Sequence, residues 1–168
     1  MMGTAHYKRL VLDLCRAFNE GKIARIDDYL TPDFQELGMP GGADWFVGTL
    51  RTLRRSFTEA RWEVLGLVAE GTTVVVRLKF TGVHTGEYLG VLPTRSAVEV
   101  EQVHIYEGRD GRLATHLCVR DDLQLLGQLG IHPDTTAVGE TKPMGKKMAM
   151  AAAKVLCPGL GAKLTQDA

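Results

Sequence analysis

Apolar residues recur every three or four positions through the first third of the chain. Between His6 and Glu20, the residues Tyr7, Leu10, Val11, Leu14 and Phe18 share one side of a predicted helix, and Asn19-Glu20-Gly21 ends the run. Ile23 to Leu30 predicts a second, shorter helix with Ile23, Ile26 and Leu30 inward. Thr31-Pro32 closes it, because proline disfavours helical geometry in the residue before it. Asp33 to Leu37 predicts a short extended piece and Gly38 to Gly42 a loop. Ala43 to Phe57 predicts a third helix carrying Phe46, Leu50, Leu53 and Phe57.

From Arg61 onward the period falls to two. Arg61 to Ala69, Thr73 to Thr81, Ser96 to Tyr106 and Leu113 to Asp121 are β-rich runs. In the second run Val74, Val76, Leu78 and Phe80 alternate with Thr73, Val75, Arg77 and Lys79, as in a half-buried strand. Glu70-Gly71 and Gly108-Arg109-Asp110-Gly111 predict hairpin turns, hence a mainly antiparallel sheet. Helices first and strands afterwards predict an α+β domain: a curved antiparallel sheet wrapped by the N-terminal helices into a cone, an α+β barrel with an open end suited to a small molecule.

The run from His116 to Gly130 organises the rest. It predicts a strand with Leu117, Val119 and Asp121 on one face and His116, Cys118 and Arg120 on the other. A short helix follows, with Leu125, Leu126 and Leu129 on its apolar side and Gly130 at its end. Asp122, just before Leu123, suits a helix cap. Asp121 shares a face with apolar residues, so its carboxylate is expected to point inward, where an acid is either costly or useful. The alternatives for it are a cap, or a buried pair with Arg77 or Arg120. On the same parity argument His116 falls on the face away from Asp121.

Composition narrows the classes. Lysine plus arginine and aspartate plus glutamate each number 20, so nothing electrostatic favours nucleic acid or an anionic membrane. No apolar run reaches membrane-spanning length, and Met1 to Leu10 lacks the apolar core of a signal peptide. Cys15, Cys118 and Cys157 form an odd set without metal-type spacing, which suits a reducing cytoplasm and predicts neither a disulfide framework nor a metal site. The chain is expected to divide into one domain over 1–133 and a C-terminal extension over 134–168, with Lys146 to Leu156 as an alanine-rich helix.

Three segments together carry a family resemblance. They are Phe18-Asn19-Glu20-Gly21-Lys22 with Leu30-Thr31-Pro32-Asp33-Phe34, then Thr81-Gly82-Val83-His84-Thr85-Gly86 running on to Leu92-Pro93-Thr94, and finally Asp121 to Gly130. Over roughly residues 6 to 133 the chain resembles the SnoaL-like polyketide cyclases of the nuclear-transport-factor-2-like superfamily. The resemblance implies a deep apolar pocket, dimer or tetramer assembly and a polyketide-like apolar substrate. It also implies intramolecular aldol ring closure with no cofactor. Asp121 matches the family's acid/base. Gln102-Val103-His104 looks like its substrate-binding pair, and two-residue spacing puts both side chains on one face of a strand. The family often has Asn or His just after the Pro-Asp-Phe segment; Glu36 stands in that region here and adds a second carboxyl at the pocket mouth. The tryptophan common after the last strand's histidine is Leu117.

Other site residues have plainer alternatives. Phe34 and Trp45 are expected in the core or the pocket wall, and His84 at the pocket or holding the loop between Gly82 and Thr94. His104 is either a pocket residue or a hydrogen-bonded core histidine. Two rival functions remain on the same cone. One is an epoxide hydrolase or hydroxylase-like enzyme, with Arg77, Glu36 and Asp121 imitating an Asp-Arg-Asp set. The other is a non-catalytic small-molecule-binding module.

Overall fold

The computed structural model describes residues 3–132; the C-terminal extension and the helix expected at Lys146 to Leu156 lie outside them. The order is helix α1 (Thr4–Asn19), a short 3-10 helix (Ile23–Tyr29), strand β1 (Leu30–Glu36), helix α2 (Gly42–Ser56), strands β2 (Phe57–Glu70), β3 (Thr73–His84), β4 (Ala97–Arg109) and β5 (Arg112–Arg120), and helix α3 (Asp122–Gln128). The five strands form one curved, unclosed sheet in the order β1-β5-β4-β3-β2. Among the described residues no helix is long and apolar enough to cross a membrane.

The helices' periodic positions turn inward as the pattern predicted, except that Phe57, expected in the third helix, opens β2. Tyr7, Val11, Leu14 and Phe18 of α1 and Phe46, Leu50 and Leu53 of α2 are buried in one core with Val74, Val76, Leu78 and Phe80 of β3. Asn19 ties α1 to the sheet: its amide nitrogen donates to the Trp62 carbonyl at 2.8 Å and its oxygen accepts from the Trp62 backbone N–H at 2.7 Å. Phe18 and Trp62 stack with ring centroids 4.1 Å apart. Gly86 is sterically required, since a Cβ there would lie 2.5 Å from the Arg55 carbonyl oxygen where the β3–β4 connection crosses the end of α2.

Two further features depart from expectation. The short extended piece expected from Asp33 begins already at Leu30, and it pairs parallel with β5 at the edge of an otherwise antiparallel sheet. The second concerns β5. The Asp110-Gly111 turn has positive φ at both residues (51° and 79°), the geometry of a two-residue hairpin loop, and pairs Gly108 with Leu113. The next pair is Glu107 with Thr115, so the register shifts by one residue at Ala114. Beyond that bulge, Tyr106 pairs with His116, His104 with Cys118 and Gln102 with Arg120. A one-residue shift exchanges the two faces of a strand. His116, Cys118 and Arg120 therefore face the concave side. Leu117 and Val119 face outward, 36% and 60% exposed.

Candidate active site

A cavity of about 770 Å³ opens between the concave face of the sheet and α2. Trp45, Phe46, Leu50 and Leu53 of α2 wall one side; Trp62 of β2 and Tyr88 of the β3–β4 connection contribute aromatic surface. The sheet supplies the polar groups: Glu36, Gln102, His104, His116, Cys118 and Arg120, with Asp122 from the start of α3.

Four of these side chains form a continuous hydrogen-bonded line. Because β1 runs beside β5 with Glu36 in register with His116, the Glu36 carboxyl meets His116 Nδ1 at 2.6 Å. His116 Nε2 lies 2.8 Å from His104 Nδ1, and His104 Nε2 lies 2.9 Å from Gln102 Oε1. The line is enclosed: the Glu36 side chain is 10% exposed and that of His116 is 3%. Tyr106 stacks on the His116 ring at 4.6 Å and Trp62 meets the His104 ring edge-on at 5.2 Å.

Burial decides the charges. Desolvation pushes the Glu36 carboxyl up to about 8 and His116 down to about 3. Burial, then repulsion from His116 and Arg120, holds His104 well below its ordinary value. At neutral pH the line therefore carries a protonated acid and two neutral imidazoles. At the mouth, Arg120 Nε donates to Asp122 at 2.5 Å. Burial opposes the Arg120 charge, but Tyr88 and Asp122 keep the guanidinium more firmly protonated than usual.

These shifts set a stability profile. Between 4.5 and about 8 the folded chain holds a proton on Glu36 that the unfolded chain has lost, so this group makes stability fall as pH rises. His116 and His104 act in the opposite sense: below 6.5 the unfolded chain protonates them and the folded chain does not, so stability falls as pH drops. Maximum stability is expected near pH 6.5, where the two trends meet. Toward pH 8 the loss should be about 1–2 kcal/mol after discounting for the carboxyl's residual solvent contact. Urea midpoints measured across pH check this, and Glu36→Gln should abolish the alkaline decline.

The positions expected from the sequence divide clearly. Gln102, His104, Glu36 and Trp45 line the cavity. Asp121 does not: it is exposed, its carboxylate accepts from the Gln124 backbone N–H at 2.8 Å, and it caps α3. The roles foreseen for the two aspartates are exchanged, since Asp122 lines the cavity. The cause is the Ala114 bulge, which turns odd-numbered β5 positions outward. Phe34 is core, packed on Phe46 at 5.4 Å. His84 is fully buried beneath its loop, where its Nδ1 accepts from the Thr94 backbone N–H at 3.2 Å; it holds the loop and is not in the cavity wall. Arg77 lies on the convex face in an exposed pair with Glu101 at 2.8 Å, so it joins neither Glu36 nor Asp121. Sequence reasoning missed His116, Cys118, Arg120, Asp122 and Tyr88. For the three β5 residues, the signal was their even parity with Gln102 and His104, hidden by the bulge.

The sequence matches the family described as SnoaL-like polyketide cyclase over residues 8–129. It is 32% identical over 120 residues to nogalonic acid methyl ester cyclase from Streptomyces nogalater, a match covering 68% of this chain and 90% of that protein. It is 29% identical over 109 residues to the aklanonic acid methyl ester cyclase AcmA from Streptomyces galilaeus, covering 61% and 76%. Among solved structures, AclR from Streptomyces galilaeus, a proposed hydroxylase, is similar with a TM-score of 0.71 at 27% identity over 77% of this chain and 99% of that one. IdmH from Streptomyces antibioticus, a proposed polyketide cyclase, is similar with a TM-score of 0.66 at 25% identity over 74% and 99%. With the match spanning nearly all of the described fold, this chain belongs to the SnoaL-like polyketide cyclase family.

Proposed function

We propose that this chain closes a ring in an aromatic polyketide ester by an intramolecular aldol reaction, and that Glu36 is its acid/base. The observation that carries this reading is a carboxyl held in an apolar cavity, with its proton shared into a line of neutral imidazoles. A carbon between an ester and a conjugated ketone is already acidic, because its enolate spreads into the aromatic system. A carboxyl whose pKa lies near the working pH is suited both to removing that proton and to giving it back. The ionised fraction of Glu36 takes the carbon's proton; once the enolate carbon has attacked the carbonyl, the new alkoxide takes that proton from Glu36, which returns to the carboxylate that began the cycle. The cavity wall of Trp45, Phe46 and Trp62 suits a flat aromatic substrate and holds the two reacting ends of one molecule together. The chemistry asks for no electron transfer, so the substrate and one carboxyl suffice.

The named activities of the methyl ester cyclases, at 32% and 29% identity, support the substrate class. The test is incubation of the purified chain with an anthraquinone-type polyketide methyl ester. A product isomeric with the substrate, one ring richer and with no added oxygen, is expected. A product that has gained one oxygen atom or one water molecule would replace ring closure by the hydroxylase or epoxide-opening reading. Binding without conversion would favour the carrier reading.

A further inference from the structure

Gln102 is 2% exposed, lines the cavity, and has an amide nitrogen with no partner among the described residues, while its oxygen faces His104 Nε2. The direction of that amide is set three residues away in the line. A protonated Glu36 donates to His116 Nδ1, which leaves His116 with its hydrogen on Nε2. That hydrogen is donated to His104 Nδ1, so His104 also carries its hydrogen on Nε2 and donates to Gln102 Oε1. Each link has one donor and one acceptor, and the Gln102 N–H groups are left without a partner beside the cavity that the residue lines.

Removing one proton reverses every link. An ionised Glu36 is an acceptor only, so His116 must donate from Nδ1 and accept at Nε2. His104 then donates from Nδ1 and presents a bare Nε2 to Gln102. One proton leaves to solvent and both rings stay neutral. The amide meets the bare nitrogen by turning over, so that Nε2 donates to His104 and Oε1 faces the cavity.

We propose that the line from Glu36 through His116 and His104 transmits the protonation state of the acid to the Gln102 amide, which offers the cavity an N–H donor while Glu36 is protonated and a carbonyl acceptor once it is ionised. This rests on Glu36 being the acid/base and adds to it: His116 and His104 are positioning residues, and Gln102 matches its donor or acceptor to the stage of the reaction. The donor form suits a carbonyl or enolate oxygen of the ligand, and the acceptor form suits a phenol or enol hydroxyl.

The groups around the line are known. Arg120 and Cys118 lie beside it on β5 and Tyr106 on β4; Asp44 of α2 and Asp122 of α3 line the same cavity, Cys15 of α1 lies near Tyr106, and Tyr88 of the β3–β4 connection lies near Arg120. Of these, Cys118 competes directly, with Sγ 3.6 Å from His104 Nε2, where its S–H could serve the bare nitrogen in place of the amide.

Nitrogen-15 NMR of the ligand-free full chain reads the tautomers directly. Well below pH 8, both His104 and His116 are expected to carry hydrogen on Nε2; well above it, both carry it on Nδ1, changing together. Glu36→Gln, which removes the titrating group, should leave both rings in one tautomer across the same pH range. Cys118→Ala should leave the switch intact. Tautomers that stay fixed, that change separately, or that still switch in Glu36→Gln would overturn the proposal, as would loss of the switch in Cys118→Ala. Because no substrate is used, failure here leaves ring closure standing, and failure of ring closure leaves this result standing.

Discussion

Glu36→Gln is expected to lower the ring-closure rate by roughly 10²–10⁴-fold, the range general acid/base catalysis contributes. The substitution is isosteric, and the new amide can still donate to His116 Nδ1, which now lies 2.6 Å from the carboxyl. The fold and the neutral line should therefore survive while the group that titrates is gone. Asp121→Asn supplies the contrast. Asparagine caps a helix as well as aspartate does, and Asp121 lies outside the cavity, so both stability and turnover should stay close to those of the parent. Turnover and urea unfolding on the two variants in parallel separate the two carboxyls. A large loss in Asp121→Asn with near-normal Glu36→Gln would reverse the assignment.

Trp62→Ala should be the most damaging core change, costing about 3–5 kcal/mol, in the range for deleting a buried aromatic side chain. The ring is 2% exposed, stacks on Phe18 at 4.1 Å and meets the His104 ring edge-on at 5.2 Å. Its loss removes the surface that joins α1 to the sheet and opens the wall behind the imidazole line. The Asn19 clamp on the Trp62 backbone survives, because it uses only main-chain atoms of that residue. The variant should thus keep its topology while its urea midpoint falls sharply. Trp62→Phe, which keeps a stacking ring, should recover much of the difference.

The elements themselves were legible because they rest on local periodicity. Val74, Val76, Leu78 and Phe80 alternate in the sequence, and all four are fully buried. Gln102 and His104 were legible as a pair because two-residue spacing within one strand fixes a shared face. What could not be read was the relation between β4 and β5. With the Asp110-Gly111 turn alone and no bulge, His104 would pair with Leu117 and Val100 with Asp121, bringing that acid to the concave side. The extra residue at Ala114 reverses this, and nothing about an alanine between Leu113 and Thr115 announces a bulge. Apolar neighbours were a poor guide as well. Leu117 and Val119 suggested the interior, yet they lie on the convex face, where Val68 is also 66% exposed. Glu36 met His116 through a parallel pairing between segments eighty residues apart, beyond the reach of any local pattern.

The most direct measurement is the carbon-13 titration of the Glu36 carboxyl in the ligand-free chain, assigned by its disappearance in Glu36→Gln. A transition at about 8 is predicted, because the cavity withholds water from the ionised form. A transition near the ordinary glutamate value of 4.5 would mean a solvated carboxylate at neutral pH, and the acid/base assignment to Glu36 would be contradicted.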